Sequence, residues 1–405
     1  MTVSILPSHP KGCVAAPPSK SMAHRYLIAA ALSEGISHVA GIAPSEDILA
    51  TIDCLRALGA NITVQDGVAT VRGFDPKSAA PQMPLACRES GSTLRFLLPL
   101  CWLSGNPATL SGSARLLERP LSLYAEIAAR EGLTLTKNGG TVTVCGRLSG
   151  GEYTLRGDVS SQFITGLLFA LPFTGKECKL HLLPPIESRS YLDLTVDALA
   201  RFGSGISWID DTTLLIPAND RLQAADVRVE GDYSNAAFFD ALAALGYPVS
   251  VTGLSEDSAQ GDRIYREYFK ALDRHMPTLS LADCPDLGPI LMALAAAKNG
   301  ARLTSTRRLR IKESDRGAAM AAELAKFGAR VTVYEDEIVI EPTALSAPSV
   351  PLCGHNDHRI VMSLATLLVR YGGSIEGAEA VKKSFPDYFT TLRSVGAEVI
   401  PHENE

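Results

Sequence analysis

Residues 55–64 read "LRALGANITV", a helical stretch that ends at a glycine and continues as an alternating strand. The pattern recurs as "AAREGLTLT" (128–136), "LARFGSGISWI" (199–209), "LAKFGARVTV" (324–333) and "LRSVGAEVI" (392–400), with a weaker form, "FKALDRHMPTL", at 269–279. Each glycine suits the left-handed residue that ends a helix. Recurrence at about 70 residues predicts six copies of one unit.

The strand of each unit is often followed by a second one across a polar turn. "LTLTKNGGTVTV" (133–144) and "RVTVYEDEIVI" (330–340) are typical of hairpins, and "ALAALGYPVSV" (241–251) adds a further helix-to-strand match. The unit is therefore roughly strand–helix–strand–helix–hairpin, and the predicted class is α/β with mixed sheets. The alternative, that Leu-x-x-x-Gly-Ala is only a common helix stop, fits the near-regular spacing less well.

Composition excludes several classes of protein. The chain has 405 residues, 46% hydrophobic and 20% charged, with net charge −6, so neither disorder nor a general basic field is indicated. Eight cysteines without a C-x-x-C pair favour reduced thiols. We see no signal peptide and no apolar run long enough to span a membrane, and we expect a soluble cytoplasmic protein without nucleic-acid or membrane partners.

Several apolar helices begin with hydroxyl residues, glycine and a cation. These starts are "PPSKSMAHR" (17–25), "RESGSTLRF" (88–96), "GDVSSQF" (157–163), "RIKESDR" (310–316) and "HNDHR" (355–359), in which Ser19, Ser92, Ser160 or Ser161, and Ser314 suit N-cap positions. A cation at that end opposes the helix dipole, so its repetition favours bound anions. A single such start would be no more than an exposed cation beside an ordinary cap.

The number of cations in such polar motifs exceeds what one phosphate needs. They are Lys20, Arg25, Arg95, Arg119, Lys312, Arg316, Arg359 and Lys383. Arginine contacts carboxylates and phosphates through two parallel hydrogen bonds, and lysine can also move protons. This set predicts two polyanionic substrates held side by side.

Carboxylates and histidines leave alternatives open. Asp286 heads the apolar stretch 284–297, where it suits a dipole-complementing charge as well as a catalytic group. Glu313 lies among cations, in either a proton-donating pocket or a surface ion-pair cluster. His355 and His358 form a weak candidate metal pair, since no acidic ligand cluster accompanies them. No phosphate-binding P-loop, dinucleotide fingerprint or nucleophile elbow occurs.

These motifs together are familiar. Over essentially its whole length the chain resembles the 5-enolpyruvylshikimate-3-phosphate (EPSP) synthase family. The match rests on motifs in family order: "PPSKSMAHR", "ESGSTLR", "LLERPL", "GDVSSQF", "IESRSYLDLT", "EGDYSNAAFF", "CPDLGPILMALA", "RIKESDR", "NDHR" and "KKSFPDYF". Single motifs are moderately specific, whereas the ordered set is very specific.

The resemblance implies the two-domain enolpyruvyltransferase fold, with six β-α-β-α-β-β units, three in each domain. Residues 1–19 and 230–405 would form a discontinuous domain and residues 20–229 an inserted one, with crossovers near Lys20 and Asp232. The active site would lie in the interdomain cleft. The family acts as a transferase without cofactor or metal, and a monomer is expected.

The implied reaction transfers the enolpyruvyl group of phosphoenolpyruvate to the 5-hydroxyl of shikimate 3-phosphate. The resemblance assigns shikimate 3-phosphate to Lys20, Ser21, Arg25, Ser160, Ser161, Gln162, Ser188, Tyr191, Asp286 and Lys312. It assigns phosphoenolpyruvate to Lys20, Gly91, Arg95, Arg119, Gln162, Arg316, Arg359 and Lys383. Asp286 would accept the hydroxyl proton, and Glu313, assisted by Lys20, would exchange the proton at the methylene carbon.

Two departures from the family pattern concern Glu89 and Arg308. Many members have Asn where this chain has Glu89, which puts sensitivity to glyphosate in doubt, and some have Asn at the position of Arg308. Two alternatives share the fold. A UDP-N-acetylglucosamine enolpyruvyltransferase would have a Lys-Asn pair where Lys20-Ser21 stands and a catalytic Cys after Arg119, and a non-catalytic phosphometabolite-binding protein would not need Lys20, Asp286, Glu313 and Lys383.

Overall fold

A computed structural model describes residues 1–219 and 221–402. The α-helices of these residues are α1 (Lys20–Ala31), α2 (Glu46–Leu58), α3 (Gly91–Cys101), α4 (Ala114–Glu118), α5 (Ser122–Glu131), α6 (Ser161–Ala170), α7 (Arg189–Ala200), α8 (Tyr233–Ala244), α9 (Tyr265–Leu272), α10 (Gly288–Ala297), α11 (Arg316–Ala325), α12 (His358–Tyr371) and α13 (Tyr388–Ser394). Short 3-10 helices span Leu171–Thr174, Gly261–Ile264, Pro285–Leu287, Arg307–Ile311 and Ala378–Lys383.

The strands alternate with these helices along the chain. They are β1 (Thr2–Leu6), β2 (Gly12–Ala15), β3 (Ser33–Glu34), β4 (Ile36–Ala40), β5 (Asn61–Gln65), β6 (Val68–Arg72), β7 (Leu85–Ala86), β8 (Ala108–Ser111), β9 (Thr134–Asn138), β10 (Thr141–Cys145), β11 (Glu152–Arg156), β12 (Cys178–Leu183), β13 (Ser207–Trp208), β14 (Thr213–Ile216), β15 (Leu222–Gln223), β16 (Asp226–Arg228), β17 (Val249–Thr252), β18 (Thr278–Ser280), β19 (Ala301–Thr304), β20 (Arg330–Val333), β21 (Glu337–Glu341), β22 (Leu352–Cys353), β23 (Gly373–Glu376) and β24 (Glu398–His402). The predicted α/β class is confirmed.

The chain folds into two units. Unit 1 contains residues 1–17 together with the chain from 231 onward, and unit 2 contains residues 18–230. Each unit has its own cluster of buried apolar side chains. Such a core comes from helices that are apolar on nearly every side, such as α6 in unit 2 and α10 in unit 1, and from strands that bury alternate residues.

Among the described residues, five four-stranded sheets repeat one topology, which explains the repeat in the sequence. An edge strand runs parallel to the second strand, and the third and fourth strands are antiparallel, as in β11-β12-β14-β13. The other four are β7-β8-β10-β9, β16-β4-β6-β5, β18-β19-β21-β20 and β22-β23-β1-β24. The predicted hairpins are the pairs β9–β10 and β20–β21.

The remaining unit is shortened. Its parallel pair is β2 with β17, and this sheet contains only those two strands. After α9 the chain reaches β18 through residues 273–277 alone, which is too short for the hairpin present in the other units. The weak sequence match at 269–279 therefore marks a unit that has lost its hairpin.

The chain passes between the units twice, and each passage places a helix start. Strand β2 of unit 1 leads into α1 of unit 2, and β16 of unit 2 leads into α8 of unit 1. Every other edge strand stays in one unit with the helix that follows it, such as β7 with α3. The first residues after the two passages cap helices, since Ser19 and Asp232 accept bonds from backbone N–H groups.

Two of the predicted caps are wrong. Ser19 and Ser160 cap α1 and α6, but α3 is capped by Ser90 and α11 by Asp315. Ser92 lies inside the first turn of α3, because Gly91 already has helical geometry. Ser314 precedes the α11 cap and donates instead to Asp357 Oδ2 at 3.0 Å. The glycines expected to end helices do so with positive φ, as at Gly59 (119°).

The described residues contain no helix that is both long enough and apolar enough to cross a membrane.

Candidate active site

The start of α1 holds Lys20 against a carboxylate. The Ser19 hydroxyl accepts from Met22 N at 3.4 Å, and the Lys20 ammonium donates to Asp47 Oδ2 of α2 at 2.7 Å. Both charged side chains are mostly buried. This ion pair offsets the repulsion between the ammonium and the positive end of α1.

Arg25 joins α1 to α7. Its guanidinium donates to Thr195 Oγ1 at 2.9 Å and to the carbonyl oxygens of Tyr191 at 3.0 Å and Ser21 at 2.8 Å. The side chain is almost completely buried, and this burial lowers the pKa of Arg25 to about 10. The structure thus brings together three predicted ligands of shikimate 3-phosphate, namely Arg25, Ser21 and Tyr191.

The starts of α3 and α6 lie side by side. Arg95 Nη1 donates to Gln162 Oε1 at 2.7 Å, and Gln162 Nε2 donates to Ser92 Oγ at 3.1 Å. Arg95 also lies 4.9 Å from the centre of the Phe163 ring. The contacts unite Arg95 and Gln162, two residues predicted to bind phosphoenolpyruvate.

Gly91 provides room for a guanidinium. A Cβ atom built on Gly91 would lie 2.6 Å from Arg119 Nη1 and 3.0 Å from its Cζ. Any larger residue would therefore displace Arg119, which is itself buried. Gly91 and Arg119, both predicted to bind phosphoenolpyruvate, are neighbours for this steric reason.

The predicted serine ligands also lie at helix starts. Ser160 caps α6 and accepts from Gln162 N at 3.4 Å, and Ser161 is the first residue of that helix. Ser188 precedes α7 with φ of 57°, an uncommon value for a residue other than glycine. Backbone N–H groups at such starts are suited to anions.

In unit 1, Asp286 accepts hydrogen bonds from three cations. It lies in the 3-10 turn Pro285–Leu287 at the head of α10, as the sequence predicts. Its Oδ1 accepts from Arg316 Nη1 at 2.8 Å and from Lys312 Nζ at 3.2 Å. Its Oδ2 accepts from Arg359 Nη2 at 3.0 Å, and the carboxyl side chain is about 20% exposed.

Arg316 connects Asp286 to two more carboxylates. It donates to Glu313 Oε2 at 2.8 Å and, through Nε, to Asp357 Oδ2 at 2.8 Å. Burial disfavours the charge, but Asp357, Glu313 and Asp286 outweigh it and raise the pKa of Arg316. Asp357 is fully buried and caps α12. Glu313, Arg316 and Asp286 thus form one ion network around a buried guanidinium.

Lys312 and Lys383 complete the cationic set of unit 1. Burial lowers the pKa of Lys312, while the Asp286 carboxylate opposes that shift. Lys383 is buried at the end of the last 3-10 helix, and its ammonium donates to the carbonyl oxygen of Asn356 at 2.5 Å. Lys312 therefore loses its proton at a lower pH than an ordinary lysine does, and a lysine that can lose its proton is suited to proton transfer.

Arg308, which departs from the family pattern, contacts the backbone of unit 1 near Asp286. It is buried and donates to the carbonyl oxygen of Ala282 at 2.5 Å, in the loop that leads to Asp286.

The other departure from the family pattern, Glu89, lies in unit 2 and directly precedes the Ser90 cap of α3. The neighbouring Arg88 donates to Glu46 and, at 2.9 Å, to Asp53 Oδ2.

The candidate metal pair has other contacts. His355 Nε2 lies 3.0 Å from Glu323 Oε1, and His358 Nδ1 lies 3.9 Å from Asp357 Oδ1. Across residues 1–219 and 221–402, no group of three or more His, Cys, Asp and Glu side chains is arranged to hold a metal ion.

The sequence did not single out the carboxylates behind the charged groups. Asp47 pairs with Lys20, Asp357 pairs with Arg316, and Asp262 accepts from the Ser234 hydroxyl. Burial, reinforced by the nearby Asp286, raises the pKa of Asp262 to about 7. Asp357 lies inside the "NDHR" motif (356–359), so the sequence could have identified it as a candidate. Asp47 follows Ser45 and Glu46 in a stretch typical of a helix start, and nothing in the sequence marks it as the partner of Lys20.

The chain is similar to known proteins over nearly its whole length. The family model of EPSP synthase (3-phosphoshikimate 1-carboxyvinyltransferase) matches residues 7–392. The chain is 38% identical to the 3-phosphoshikimate 1-carboxyvinyltransferase of Clostridium kluyveri and 34% identical to that of Clostridioides difficile, with 98% of each chain covered. An EPSP synthase structure from Acinetobacter baumannii superposes with a TM-score of 0.79 at 26% identity, over 99% of this chain and 100% of that one.

Proposed function

The chain belongs to the EPSP synthase (3-phosphoshikimate 1-carboxyvinyltransferase) family, and on that premise we propose which of its residues carry the reaction. The enzyme transfers the enolpyruvyl group of phosphoenolpyruvate to the 5-hydroxyl of shikimate 3-phosphate and releases phosphate, a step of aromatic amino acid biosynthesis. No feature favours the UDP-sugar enzyme or a non-catalytic binding protein.

Shikimate 3-phosphate is proposed to bind at the helix starts of unit 2. The proposed residues are Lys20, Ser21, Arg25, Ser160, Ser161, Gln162, Ser188 and Tyr191, with Asp286 and Lys312 of unit 1. The contacts of Arg25 support this, because a buried guanidinium fixed by three acceptors needs little reordering when an anion arrives.

Phosphoenolpyruvate is proposed to bind to the remaining cations. The proposed residues are Lys20, Gly91, Arg95, Arg119, Gln162, Arg316, Arg359 and Lys383. The close approach of Arg119 to Gly91 and the Arg95–Gln162 bond support the unit 2 part of this set. Several fixed cations are needed because the substrate carries both a carboxylate and a phosphate.

The observation that carries the catalytic proposal is the set of cations around Asp286. Those cations attract anionic substrates to a carboxylate whose lone pairs can accept a proton. We propose that Asp286 takes the proton of the 5-hydroxyl as its oxygen attacks C2 of phosphoenolpyruvate. Glu313, assisted by Lys20, gives a proton to C3 and recovers one from C3 as the tetrahedral intermediate collapses, while Asp286 returns its proton to the departing phosphate.

Phosphate release from the two substrates tests the proposal directly. Asp286→Asn and Glu313→Gln should each lower turnover on the order of 10²-fold or more, as for other positioned acids and bases. Glu341→Gln, at an exposed strand position of the same unit, should leave turnover unchanged. Wild-type turnover by Glu313→Gln would refute its role, and release with UDP-N-acetylglucosamine in place of shikimate 3-phosphate would favour the rival enzyme.

We further propose that the enzyme works as a cytoplasmic monomer. Its eight cysteines support a reducing location, because the structure shows them as free thiols and most are buried. Size-exclusion chromatography with light scattering tests the monomer, for which a mass near 43.1 kDa is expected.

A further inference from the structure

A buried chain of hydrogen bonds links α1, α2 and α3 of unit 2. His24 Nδ1 lies 2.8 Å from Thr51 Oγ1, Thr51 Oγ1 lies 2.7 Å from Thr93 Oγ1, and Thr93 Oγ1 lies 2.7 Å from Ser90 Oγ. None of the four side chains is more than 1% exposed. Leaving a buried hydroxyl group without a hydrogen-bond partner costs free energy, so hydroxyls at such positions are generally paired, as these three are.

The chain has a direction, because each threonine hydroxyl has one proton. Thr93 donates its hydroxyl proton to Ser90 Oγ, which also caps α3 by accepting from Thr93 N at 3.1 Å. With Thr93 as the donor to Ser90 Oγ, the chain is satisfied when Thr51 donates to Thr93 and His24 donates to Thr51. This direction places the proton of His24 on Nδ1.

The surroundings keep His24 neutral. Burial, together with the positive charges of Lys20 and Arg25, lowers the pKa of His24 well below its usual value. Its second nitrogen, Nε2, is buried and has no hydrogen-bond partner among the residues that the structure describes. An unprotonated Nε2 is the form that suits such a position, because a buried N–H donor left unpaired would cost more than a weak acceptor.

The two ends of the chain stand beside residues of the proposed site. His24 lies one turn after Lys20 on α1, whereas Ser90 directly precedes Gly91 on α3. The middle of the chain contacts α2 at the Asp47 carbonyl, 3.5 Å from Thr93 Oγ1, and the Asp47 carboxylate holds Lys20. We propose that His24 is a positioning residue, which through Thr51 and Thr93 fixes the start of α3 relative to the start of α1.

An apolar interface could hold the same three helices together with less directional control. Hydrogen bonds fix one register, whereas apolar side chains of similar size tolerate several. Since both Lys20 and Gly91 are proposed to serve phosphoenolpyruvate, a shift between α1 and α3 should weaken that substrate first. This consequence rests on the proposed function, whereas the proton position on His24 does not.

The proton position is tested by 15N NMR of the histidine rings in the substrate-free enzyme. The His24 signal, identified by its loss in His24→Asn, should show a protonated Nδ1 and an unprotonated Nε2 at neutral pH. A proton on Nε2, or on both nitrogens, would overturn the directed chain whether or not the protein is an active enzyme.

The positioning role is tested by a matched pair of variants. Thr51→Val keeps the size of the side chain and removes the hydroxyl, so KM for phosphoenolpyruvate should rise roughly tenfold, with a smaller rise for shikimate 3-phosphate. Thr51→Ser restores the hydroxyl and should return KM to near the wild-type value. Thr143→Val removes a threonine pair of the β8–β10 sheet, 3.3 Å apart, and should leave KM unchanged.

Three outcomes contradict the positioning role: an unchanged KM in Thr51→Val, equal rises for both substrates, or a Thr51→Ser enzyme as impaired as Thr51→Val. If Thr51→Val does not fold, Thr93→Ser against Thr93→Val supplies the same comparison, and only Thr93→Ser, which keeps the hydroxyl, is expected to stay near wild type. If the wild-type protein releases no phosphate, the proposed function is refuted. The NMR measurement still tests the hydrogen-bond chain, because the proton position on His24 does not depend on catalysis.

Discussion

Arg316 and Asp286 form an ion pair of 2.8 Å in which the guanidinium is 1% exposed and the carboxylate 20% exposed. The arginine side of the pair is thus fixed in the interior, while the carboxylate remains accessible. Removing the buried partner leaves a carboxylate network without its central charge, which is far more costly than removing an exposed pair.

Arg316→Lys should separate charge from geometry. Lysine keeps the positive charge, but one ammonium cannot replace a planar guanidinium that reaches Asp286, Glu313 and Asp357 at once. Turnover should fall on the order of 10²-fold, and the free energy of unfolding in urea should fall by roughly 2–4 kcal/mol. Arg330→Lys, at an exposed pair, is the control. Full activity in Arg316→Lys would exclude a geometric role.

Gly91→Ala should weaken phosphoenolpyruvate binding. The new methyl group would lie 2.6 Å from Arg119 Nη1, and the flexible arginine rather than the helix should move. KM for phosphoenolpyruvate should rise about tenfold or more because a displaced cation no longer meets its anion, while KM for shikimate 3-phosphate changes little. Gly205→Ala meets only an ordinary contact with Pro217 and should have no effect. An equal rise in both KM values would argue against this assignment of Arg119.

Asp262→Asn should change how stability depends on pH. The pKa of Asp262 is about 7 when folded, raised by burial and by Asp286 and Asp232 and opposed by Arg359 and Ser234. It is about 4 when unfolded. Between these values the folded protein binds more protons, so Asp262 contributes stability at low pH that is lost as pH rises through about 7. Asparagine cannot ionise and escapes this loss.

The free energy of unfolding measured in urea at several pH values checks this. The difference between Asp262→Asn and wild type should move in favour of the variant from about pH 4 to pH 7, by roughly 4 kcal/mol in total, and stay level at higher pH. Asp257→Asn, at an exposed position of the same unit, should show a difference that stays level. A level difference in Asp262→Asn as well would mean that Asp262 is ionised throughout.

Glu89→Asn should increase the affinity for anions at the start of α3. Glu89 precedes the Ser90 cap, and its negative charge opposes anionic ligands of that helix end. We expect weak inhibition of the wild type by glyphosate and about tenfold stronger inhibition of the variant, measured as competition with phosphoenolpyruvate. Glu152→Gln, exposed in the same unit, is the control. Tight competition already in the wild type would refute the expectation.

The repeat could be foreseen because it is local. A glycine with positive φ after a helix and an alternating strand leave a mark in neighbouring residues, as around Gly59 and Gly328. The choice between Ser90 and Ser92 as a cap could not be made from the local sequence, because serine suits the cap position at either residue. The weak match at 269–279 could be seen in the sequence. That this unit lacks the hairpin of the other units became clear only from the pairing of the strands.

The sequence predicted which cationic residues belong to the site, but it did not predict which carboxylates pair with them. The cations were recognisable because eight of them stand in polar motifs of an acidic chain. The carboxylates that hold them are distant in sequence, as Asp357 is from Arg316, and no local pattern pairs them. The bond between Thr51 and Thr93 likewise spans 42 residues and depends on the packing of two helices.

The pairing of β1 and β2 also sets an order of events during synthesis. These strands emerge from the ribosome well before their partners, since β2 pairs with residues 249–252 and β1 with residues 373–376 and 398–402. At ordinary translation speeds they wait, unpaired, for roughly 10 to 80 seconds. Unit 2 is continuous in the chain and can complete its core in that interval, so that β1 and β2, although synthesised before unit 2, pair only after it.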